Sequence, residues 1–229
     1  MTGIISYGAY IPWMRLQRAE VYRSNAWFAP GLKGLAKGER AIANWDEDAI
    51  TMAVEAARDC LGDRDRGKVC ALTFASTSAP FADRQNAGIV KEALVLQDAV
   101  STTDFGGSQK AGSGALLQTL RAVAGGAGES LCVASEMRKA RPASGAELTN
   151  GDAAAALLIG NDRPIARFIG AHSVSIDFVD HFRASGAKFD YDWETRWVQE
   201  EGYAKIASAA IKEALAKFGC PGSAISHFI

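Results

Sequence analysis

The sequence of 229 residues lacks the features that mark disulfide-rich, metal-binding and membrane proteins. Its four cysteines, Cys60, Cys70, Cys132 and Cys220, are widely scattered and form no Cys-x-x-Cys pair, which argues against a zinc site and a disulfide framework. No apolar run is long enough to span a bilayer, and the first residues lack the basic start and cleavage site of a signal peptide. We therefore expect a reduced, cytoplasmic protein without a bound metal.

The chain also lacks an excess of either charge. Lys and Arg together number 25, Asp and Glu number 26, and the formal net charge is −1. Because nucleic-acid-binding and membrane-surface proteins carry basic patches, neither nucleic acid nor a membrane is an expected partner. The apolar share of 48% is ordinary for a globular protein, and a chain of this length can bury a sizeable core.

What the sequence does contain is an alternation of apolar strands and amphipathic helices. Val69–Ser76, Ser130–Ser135 and Ala153–Ile159 are short, nearly continuous apolar runs, which are typical of strands covered on both faces. Ala49–Leu61 and Glu200–Phe218 repeat apolar residues at helical spacing. This alternation predicts a layered α/β fold.

The same patterns predict the remaining elements. Strands are expected at Gly3–Ile11 and Ile165–Ile176, with the start of another at Ala224–Ile229. Further helices are expected at Arg15–Ser24 and Asp83–Leu96, and Glu136–Ala146 is interpreted as a polar surface arm.

The most distinctive stretch is Asp104–Leu116, which is rich in Gly and Ser and leads into an apolar helix ending near Val123. Small residues at a loop-to-helix junction let the backbone approach a neighbour closely. The unpaired N–H groups of the first helical turn favour an anion or a nucleophile. We interpret the stretch as a central helix, packed tightly on every side, with Ser108 at its mouth. The alternative is a Gly-rich turn before an ordinary buried helix.

Four stretches resemble 3-hydroxy-3-methylglutaryl-CoA synthase of the archaeal and bacterial type, a family of the thiolase superfamily. They are Tyr7–Pro12, Ala43–Ala53, Ser76–Ala82 and Ser108–Leu116. The resemblance implies the thiolase fold, in which two similar halves form αβαβα layers. It also implies that residues 1–163 form a complete N-terminal half, and that residues 164–229 start a C-terminal half that is incomplete here.

The resemblance also implies a site. In that family a cysteine at the N-terminus of the first central helix takes the acetyl group from acetyl-CoA, a glutamate after an earlier strand acts as general acid/base, and a histidine of the second half assists. The matching positions are Ser108 and Thr77, and the histidine would fall just after Ile229. His227 lies near that place, but we interpret it as a strand histidine satisfied in the core. Ser108 and Thr77 are thus the catalytic candidates, without the usual cysteine nucleophile.

Candidate contacts to the CoA thioester come from two regions. Arg15, Lys33 and Lys37 are candidate phosphate contacts near the first strand, with scattered surface cations as the alternative. Asn150 and Gly151 lie in a loop near the matching active-site face, and a simple turn before a strand explains them almost as well. No cofactor is expected besides the CoA thioester, which would be the substrate.

Three functional hypotheses follow. The first is an acyl-CoA condensing enzyme, an acyltransferase similar to hydroxymethylglutaryl-CoA synthase. The second is a non-catalytic acyl-CoA-binding or scaffold subunit, because proteins that resemble this one associate with a thiolase and a small zinc-ribbon/OB-fold protein. The third is a serine acyltransferase or esterase using Ser108, although the stretch lacks the Gly-x-Ser-x-Gly elbow of such enzymes. The resemblance further implies a homodimer.

Overall fold

A computed structural model describes residues 1–228 of the chain. The residues divide into two compact units. The first unit is Met1–Phe168, and the second begins at Ile169.

The first unit is organised around a mixed six-stranded sheet with the order β5-β4-β6-β7-β1-β8. Strands β4, β5 and β6 are parallel, whereas β7 is antiparallel to both β6 and β1, and β8 is antiparallel to β1. Strands β2 and β3 form a separate antiparallel pair. The bounds are β1 Gly3–Tyr10, β2 Met14–Gln17, β3 Glu39–Ile42, β4 Val69–Ala75, β5 Ser101–Phe105, β6 Glu129–Glu136, β7 Ala153–Gly160 and β8 Ala166–Arg167.

Five α-helices connect these strands. They are α1 Arg18–Asn25, α2 Ala49–Leu61, α3 Asn86–Ala93, α4 Ala111–Ala124 and α5 Gly145–Thr149. Two short 3₁₀ helices lie at Pro30–Leu35 and Arg66–Lys68. The predicted layered α/β order is therefore present in this unit.

Helix α2 shows why its prediction was accurate to the residue. The Asp48 side chain accepts hydrogen bonds from the backbone N–H groups of Ile50 and Thr51, and the Thr51 hydroxyl accepts one from the Asp48 N–H. This reciprocal capping box satisfies N–H groups that the helix itself cannot pair. The helix ends at Gly62, whose φ of 48° lies in the left-handed range that favours glycine.

Strand alternation divides the sheet into two packed faces. Leu72 and Phe74 of β4 point into the larger core cluster together with residues of α2 and α3. Thr73 and Ala75 point the other way, where the Thr73 hydroxyl lies 3.2 Å from that of Thr119 on α4. Because side chains alternate along a strand, the two sets cannot mix. Helices α2 and α3 thus cover one face of the sheet, and α4 lies on the other.

The expectation that α4 is packed tightly on every side was wrong for the described chain. Its buried residues lie on one side and are Ala111, Ala115, Thr119, Leu120 and Val123. Ser113 is exposed, and a Cβ added to Gly114 would meet no atom within 4 Å. The small residues therefore serve close contact with the sheet on one side only.

Helix α3 is shorter than the predicted Asp83–Leu96 because its start is fixed by a residue from another element. The carboxylate of Asp104 on β5 accepts hydrogen bonds from the N–H groups of Asn86 and Ala87, both at 2.7 Å. Its last turn is followed by Val95 with a φ of 55°, which ends the helix. Because the capping residue comes from another element, no signal near residue 86 in the sequence predicts where α3 begins.

Other expectations need correction. Residues 15–17 of the predicted helix Arg15–Ser24 belong to β2, because they pair with residues 39–41 of β3. Glu136 belongs to β6 rather than to a surface arm, since it pairs with Ala153. The β-like stretch Ile165–Ile176 contains only β8. Residues 224–228 form no strand, and His227 is exposed rather than held in a core strand; Ile229 lies outside the described residues.

The second unit is built from short strands and one long helical segment. Strands β9 His181–Phe182 and β10 Tyr191–Asp192 pair antiparallel, and α6 Thr195–Trp197 leads into a π-helix at Val198–Ala207 and then α7 Ser208–Phe218. The Phe178 ring stacks on Trp197 with centroids 4.5 Å apart. Among the described residues of this unit, only Gly202 is buried. The predicted helix at 200–218 is thus present, with a change of helical type along its length.

The close contact between β1 and α2 yields a stability prediction. A Cβ added to Gly8 would lie 2.2 Å from the Cys60 nitrogen and 2.5 Å from the Ala56 carbonyl oxygen, both backbone atoms of α2. Gly8→Ala must therefore push the strand and the helix apart. We expect a loss in the free energy of unfolding at the upper end of the ~1–3 kcal/mol range typical of overpacked cores.

Urea denaturation followed by circular dichroism measures this loss. Gly34→Ala is the matched control, because a Cβ at Gly34 meets no atom within 4 Å. Equal midpoints for the two variants would contradict the contact.

Candidate active site

The candidate site lies at the edge where the three parallel strands end. In register, Ala75 of β4 pairs with Phe105 of β5 on one side and with Ala134 of β6 on the other. The carboxyl ends of these strands therefore meet, and the Ser76 N–H continues the pairing by donating to the Phe105 carbonyl at 3.0 Å. Loops at this edge of an α/β sheet are where ligands bind.

Helix α4 begins directly above this edge. Ala111 and Ala115 of its first turns form a buried cluster with Ala75 and Cys132. A Cβ added to Gly112 would lie 3.5 Å from the Cβ of Ala134. The unpaired N–H groups and the positive end of the helix dipole are thus placed at the ends of β4 and β6.

Ser108 lies in the loop between β5 and α4, where the sequence predicted it. It is exposed, and its carbonyl accepts the Ala111 N–H at 2.9 Å, so it precedes the first helical turn. Its hydroxyl oxygen accepts the Lys110 N–H at 3.1 Å. In the described part of the chain, no carboxylate or imidazole is hydrogen-bonded to this hydroxyl. A serine without an adjacent base is a weak nucleophile.

Thr77, the second catalytic candidate, is bonded to a carboxylate that sequence reasoning missed. The Thr77 N–H donates to Glu136 Oε1 at 2.6 Å, and the Thr77 hydroxyl donates to Oε2 at 3.1 Å. The neighbouring Ser78 hydroxyl donates to Oε2 at 2.8 Å. Three donors from the loop after β4 therefore hold one carboxylate at the end of β6.

Strand alternation places this carboxylate on the same face as α4. Cys132 and Ala134 of β6 contact the helix, and Glu136 is the next residue of that alternating set. On β4 the matching set is Thr73 and Ala75, and Thr77 of the following loop reaches the same side because its hydroxyl donates to Glu136. The Thr77 and Glu136 side chains each follow by two residues an alanine that packs against the first turns of α4. They therefore lie at the end of the helix near Ser108.

Only one sequence signal pointed to Glu136. Glu136 lies two residues after Ala134, so its side chain points to the same face of the strand. Extending the predicted strand Ser130–Ser135 by one residue places Glu136 at the edge of the sheet. The polar residues that follow it led to its interpretation as part of an arm.

Asn150 and Gly151 lie at the same edge, because Ala153 at the start of β7 pairs with Glu136. The Asn150 carbonyl accepts from Arg40 at 2.9 Å, and Gly151 is exposed. The next residue, Asp152, is buried and accepts the Ala43 N–H at 2.8 Å. These bonds tie the turn before β7 to β3.

The predicted phosphate contacts Arg15, Lys33 and Lys37 lie on the β2–β3 segment of the unit. The Arg15 guanidinium donates to the carbonyls of Pro12 and Met14 and lies 3.7 Å from the Glu39 carboxylate. Lys33 is in the first 3₁₀ helix and Lys37 follows it, and both are exposed. Phosphate binding by these three cations stays a prediction. The Arg15 guanidinium already contacts groups of β2, β3 and the residues before β2.

Within residues 1–228, no three His, Cys, Asp or Glu side chains are grouped so that they could hold a metal ion. None of the helices in this range combines the length and the apolar composition needed to cross a bilayer.

Comparison with known proteins shows which proteins this chain is similar to. No family model matches the chain. Hydroxymethylglutaryl-CoA synthase of Pyrococcus furiosus is 33% identical over 186 residues, which cover 79% of this chain and 52% of the relative. A structure of HMG-CoA synthase complexed with CoA superposes with a TM-score of 0.84 at 18% identity, over 97% of this chain and 57% of that one. A structure of an OleA variant from Xanthomonas campestris superposes with a TM-score of 0.87 at 21% identity, over 100% and 75% of the two chains.

The chain is a homologue of hydroxymethylglutaryl-CoA synthases with the thiolase fold. The resemblance and the fold class predicted from the sequence are therefore confirmed. The chain spans about half the length of the curated relatives it matches. In this thiolase-type unit, α4 is the helix that the sequence predicted as central.

The environment of the cysteines predicts which thiols react. Burial raises the pKa of Cys60 and that of Cys132 to about 11 each. Cys70 is exposed. Because the thiolate is the nucleophile, iodoacetamide at pH 8 should alkylate Cys70 at least tenfold faster than Cys60 or Cys132. Peptide mass spectrometry over time measures the rates, and early modification of Cys132 would show that the contact between α4 and the sheet opens to reagents.

Asp152 predicts a pH dependence of stability. Burial raises the pKa of its carboxyl, and the Ala43 N–H bond opposes that shift. An acid whose folded pKa is raised binds its proton more tightly when folded, so stability falls as the pH rises from the unfolded value of about 4 through the folded pKa.

Asp152→Asn removes this fall and keeps an oxygen for the Ala43 N–H. The drop in urea midpoint between pH 4 and pH 7 should therefore be smaller for Asp152→Asn than for the natural protein. Asp162→Asn, at a side chain that is 77% exposed, is the control and should leave the drop unchanged. An identical drop for all three proteins would show that Asp152 does not carry the effect.

Proposed function

We propose that this protein acts on acyl-CoA thioesters in a carbon–carbon condensing reaction similar to that of hydroxymethylglutaryl-CoA synthase, without the usual cysteine nucleophile. The observation that carries the proposal is the position of α4. Its N-terminal end opens at the edge formed by β4, β5 and β6, in a chain homologous to such synthases. Backbone N–H groups and a helix dipole at this point are suited to stabilise negative charge on a thioester oxygen.

The substrate class is supported by the solved neighbours. One HMG-CoA synthase was solved complexed with CoA, and a second structure holds 3-hydroxy-3-methylglutaryl coenzyme A. On this proposal the acyl group reaches the end of α4, while Asn150 and Gly151 border the same edge. Arg15, Lys33 and Lys37 remain the proposed phosphate contacts, and CoA is a substrate rather than a resident cofactor.

The environment of Ser108 favours non-covalent chemistry. Position 108 is the proposed match of the family's cysteine, and its hydroxyl accepts from the Lys110 N–H without a neighbouring base among the described hydrogen bonds. Such a hydroxyl has no group to take its proton when it attacks a thioester. The same observation weighs against a serine acyltransferase or esterase.

The second candidate is a non-catalytic acyl-CoA-binding or scaffold subunit. The weak nucleophile at Ser108 also favours this alternative, because binding requires the helix end but no covalent step. On this alternative the chain lends its thioester site to a complex with a thiolase and a zinc-ribbon/OB-fold protein. Transfer of the acyl group would then depend on the partner.

The remaining expectations also belong to this proposal. Residues 1–163 form the N-terminal thiolase-type half and residues 164–229 the start of a second half, and the protein pairs as a homodimer. Four free cysteines accord with a reducing, cytoplasmic compartment. Light scattering coupled to size exclusion tests the dimer, and a monomer would exclude it.

Binding and mass spectrometry test the site. Titration calorimetry with acetyl-CoA should detect binding, and Ser108→Phe should weaken it at least tenfold, or about 1.4 kcal/mol, because the ring fills the helix mouth. Ser101→Phe, exposed at the opposite end of β5, is the control and should bind normally.

Incubation with isotope-labelled acetyl-CoA separates the candidates. We expect bound acetyl-CoA and condensation with a carbonyl acceptor, but no acetyl adduct on Ser108. An adduct on Ser108 would establish covalent catalysis, and binding without turnover would favour the scaffold. Absence of CoA binding would reject the acyl-CoA function altogether.

A further inference from the structure

We propose that Glu136 is the proton-transfer group of this site, and that Thr77 and Ser78 are positioning residues that hold its carboxylate. This inference rests on the proposed acyl-CoA function. It assigns the acid/base role to the end of β6 rather than to position 77, where the sequence predicted it.

The carboxylate is fixed by donors on both of its oxygens. Oε1 accepts the Thr77 N–H at 2.6 Å, and Oε2 accepts the hydroxyls of Thr77 and Ser78 at 3.1 and 2.8 Å. A carboxylate offers about four acceptor positions. Three bonds therefore orient the group without saturating it.

The Ser78 hydroxyl also contacts the residue that follows Glu136. The Met137 N–H donates to the Ser78 hydroxyl oxygen at 2.8 Å. With that lone pair occupied by a donor, the hydroxyl's own hydrogen is available to point at Glu136 Oε2. Met137, which follows Glu136, and the loop after β4 together keep the Glu136 carboxylate in one orientation.

The position of the carboxylate fits proton transfer at a thioester. Glu136 lies on the α4 face of the sheet, one alternating step beyond Ala134, which contacts the first turn of the helix. The acyl carbon of a thioester whose oxygen meets the helix N-terminus would lie at this edge. Glu136 is partly exposed there, whereas the carboxylate of Asp104 at the end of β5 is committed to the start of α3.

The step balances without a covalent intermediate or an external reagent besides the acceptor. The Glu136 carboxylate takes a proton from the carbon next to the thioester carbonyl. The electron pair of that C–H bond forms the enolate, whose charge lies on the oxygen at the helix end. The enolate carbon attacks a ketone carbonyl of the acceptor, and the resulting alkoxide takes the proton back from Glu136. General acid–base catalysis of this kind contributes about 10²–10⁴-fold.

The structural alternative is a clamp that only ties the β4 loop to β6. A clamp and a base predict different results for proton exchange, which needs no acceptor. The protein with acetyl-CoA in D₂O should exchange the methyl hydrogens for deuterium, measured by proton NMR or mass spectrometry. Glu136→Gln should slow the exchange at least 10²-fold, while acetyl-CoA binding by calorimetry stays within about threefold.

Three further variants separate chemistry from folding. Glu129→Gln changes a partly buried carboxyl at the other end of β6 and should leave exchange unchanged. Glu136→Asp keeps the charge and should retain more exchange than Glu136→Gln. Ser78→Ala should lower the exchange rate while acetyl-CoA binding stays unchanged, because the Glu136 carboxylate loses one of the donors that orient it.

The results of these experiments distinguish failure of the Glu136 role from failure of the proposed acyl-CoA function. Natural-rate exchange in Glu136→Gln, or acetyl-CoA binding without exchange in the natural protein, would overturn the role of Glu136 and leave the acyl-CoA site standing. A protein that binds no CoA would instead reject the proposed function. Loss of exchange in Glu136→Gln alone, with binding and the Glu129→Gln control intact, would support the inference.

Discussion

The site depends on the parallel register of β4 with β5 and β6. Because Ala75 pairs with both Phe105 and Ala134, three strands end at one level. The chain that leaves each strand then contributes to one edge: the Thr77–Ser78 loop, the Ser108 loop and Glu136. A shift of one residue in β6 would turn the Glu136 side chain to the opposite face, toward α2 and α3. The whole arrangement is therefore a consequence of backbone pairing that is fixed far from the edge by the buried residues of both faces.

Small side chains bring helix and sheet into contact at this level. Ala111, Gly112 and Ala115 let α4 approach Ala75, Cys132 and Ala134, so the helix dipole ends where the strands end. Larger residues there would lift the helix and separate its N–H groups from the carboxylate and the loop. The Gly- and Ala-rich composition is thus explained by closeness to the sheet on one side. The other side of α4, at Ser113 and Gly114, is open in the described chain.

The chain keeps the thiolase architecture of its homologues while presenting a serine at the helix mouth and a threonine at position 77. The carboxylate that accepts hydrogen bonds from Thr77 is that of Glu136, at the end of the neighbouring strand β6. The hydrogen bonds of Thr77 and Ser78 thus hold one carboxylate at the edge of the sheet near Ser108. The second unit differs in character from the first, because only Gly202 is buried among its described residues and its helices expose Tyr203, Ile211 and Phe218.

The sequence by itself determined the elements whose signals are local. Helix α2 carries its own capping box and apolar repeat, and the buried strands near residues 69–76, 130–135 and 153–159 are short apolar runs, so all were predicted with their bounds nearly right. Ser108 at the entry to α4 was likewise visible in the Gly-rich stretch. The start of α3, fixed by Asp104, and the contact of Glu136 with the loop after β4 were decided only by tertiary structure. In both cases a side chain from one strand meets backbone N–H groups on another element, and no spacing along a single segment encodes a contact between residues 18 and 59 positions apart.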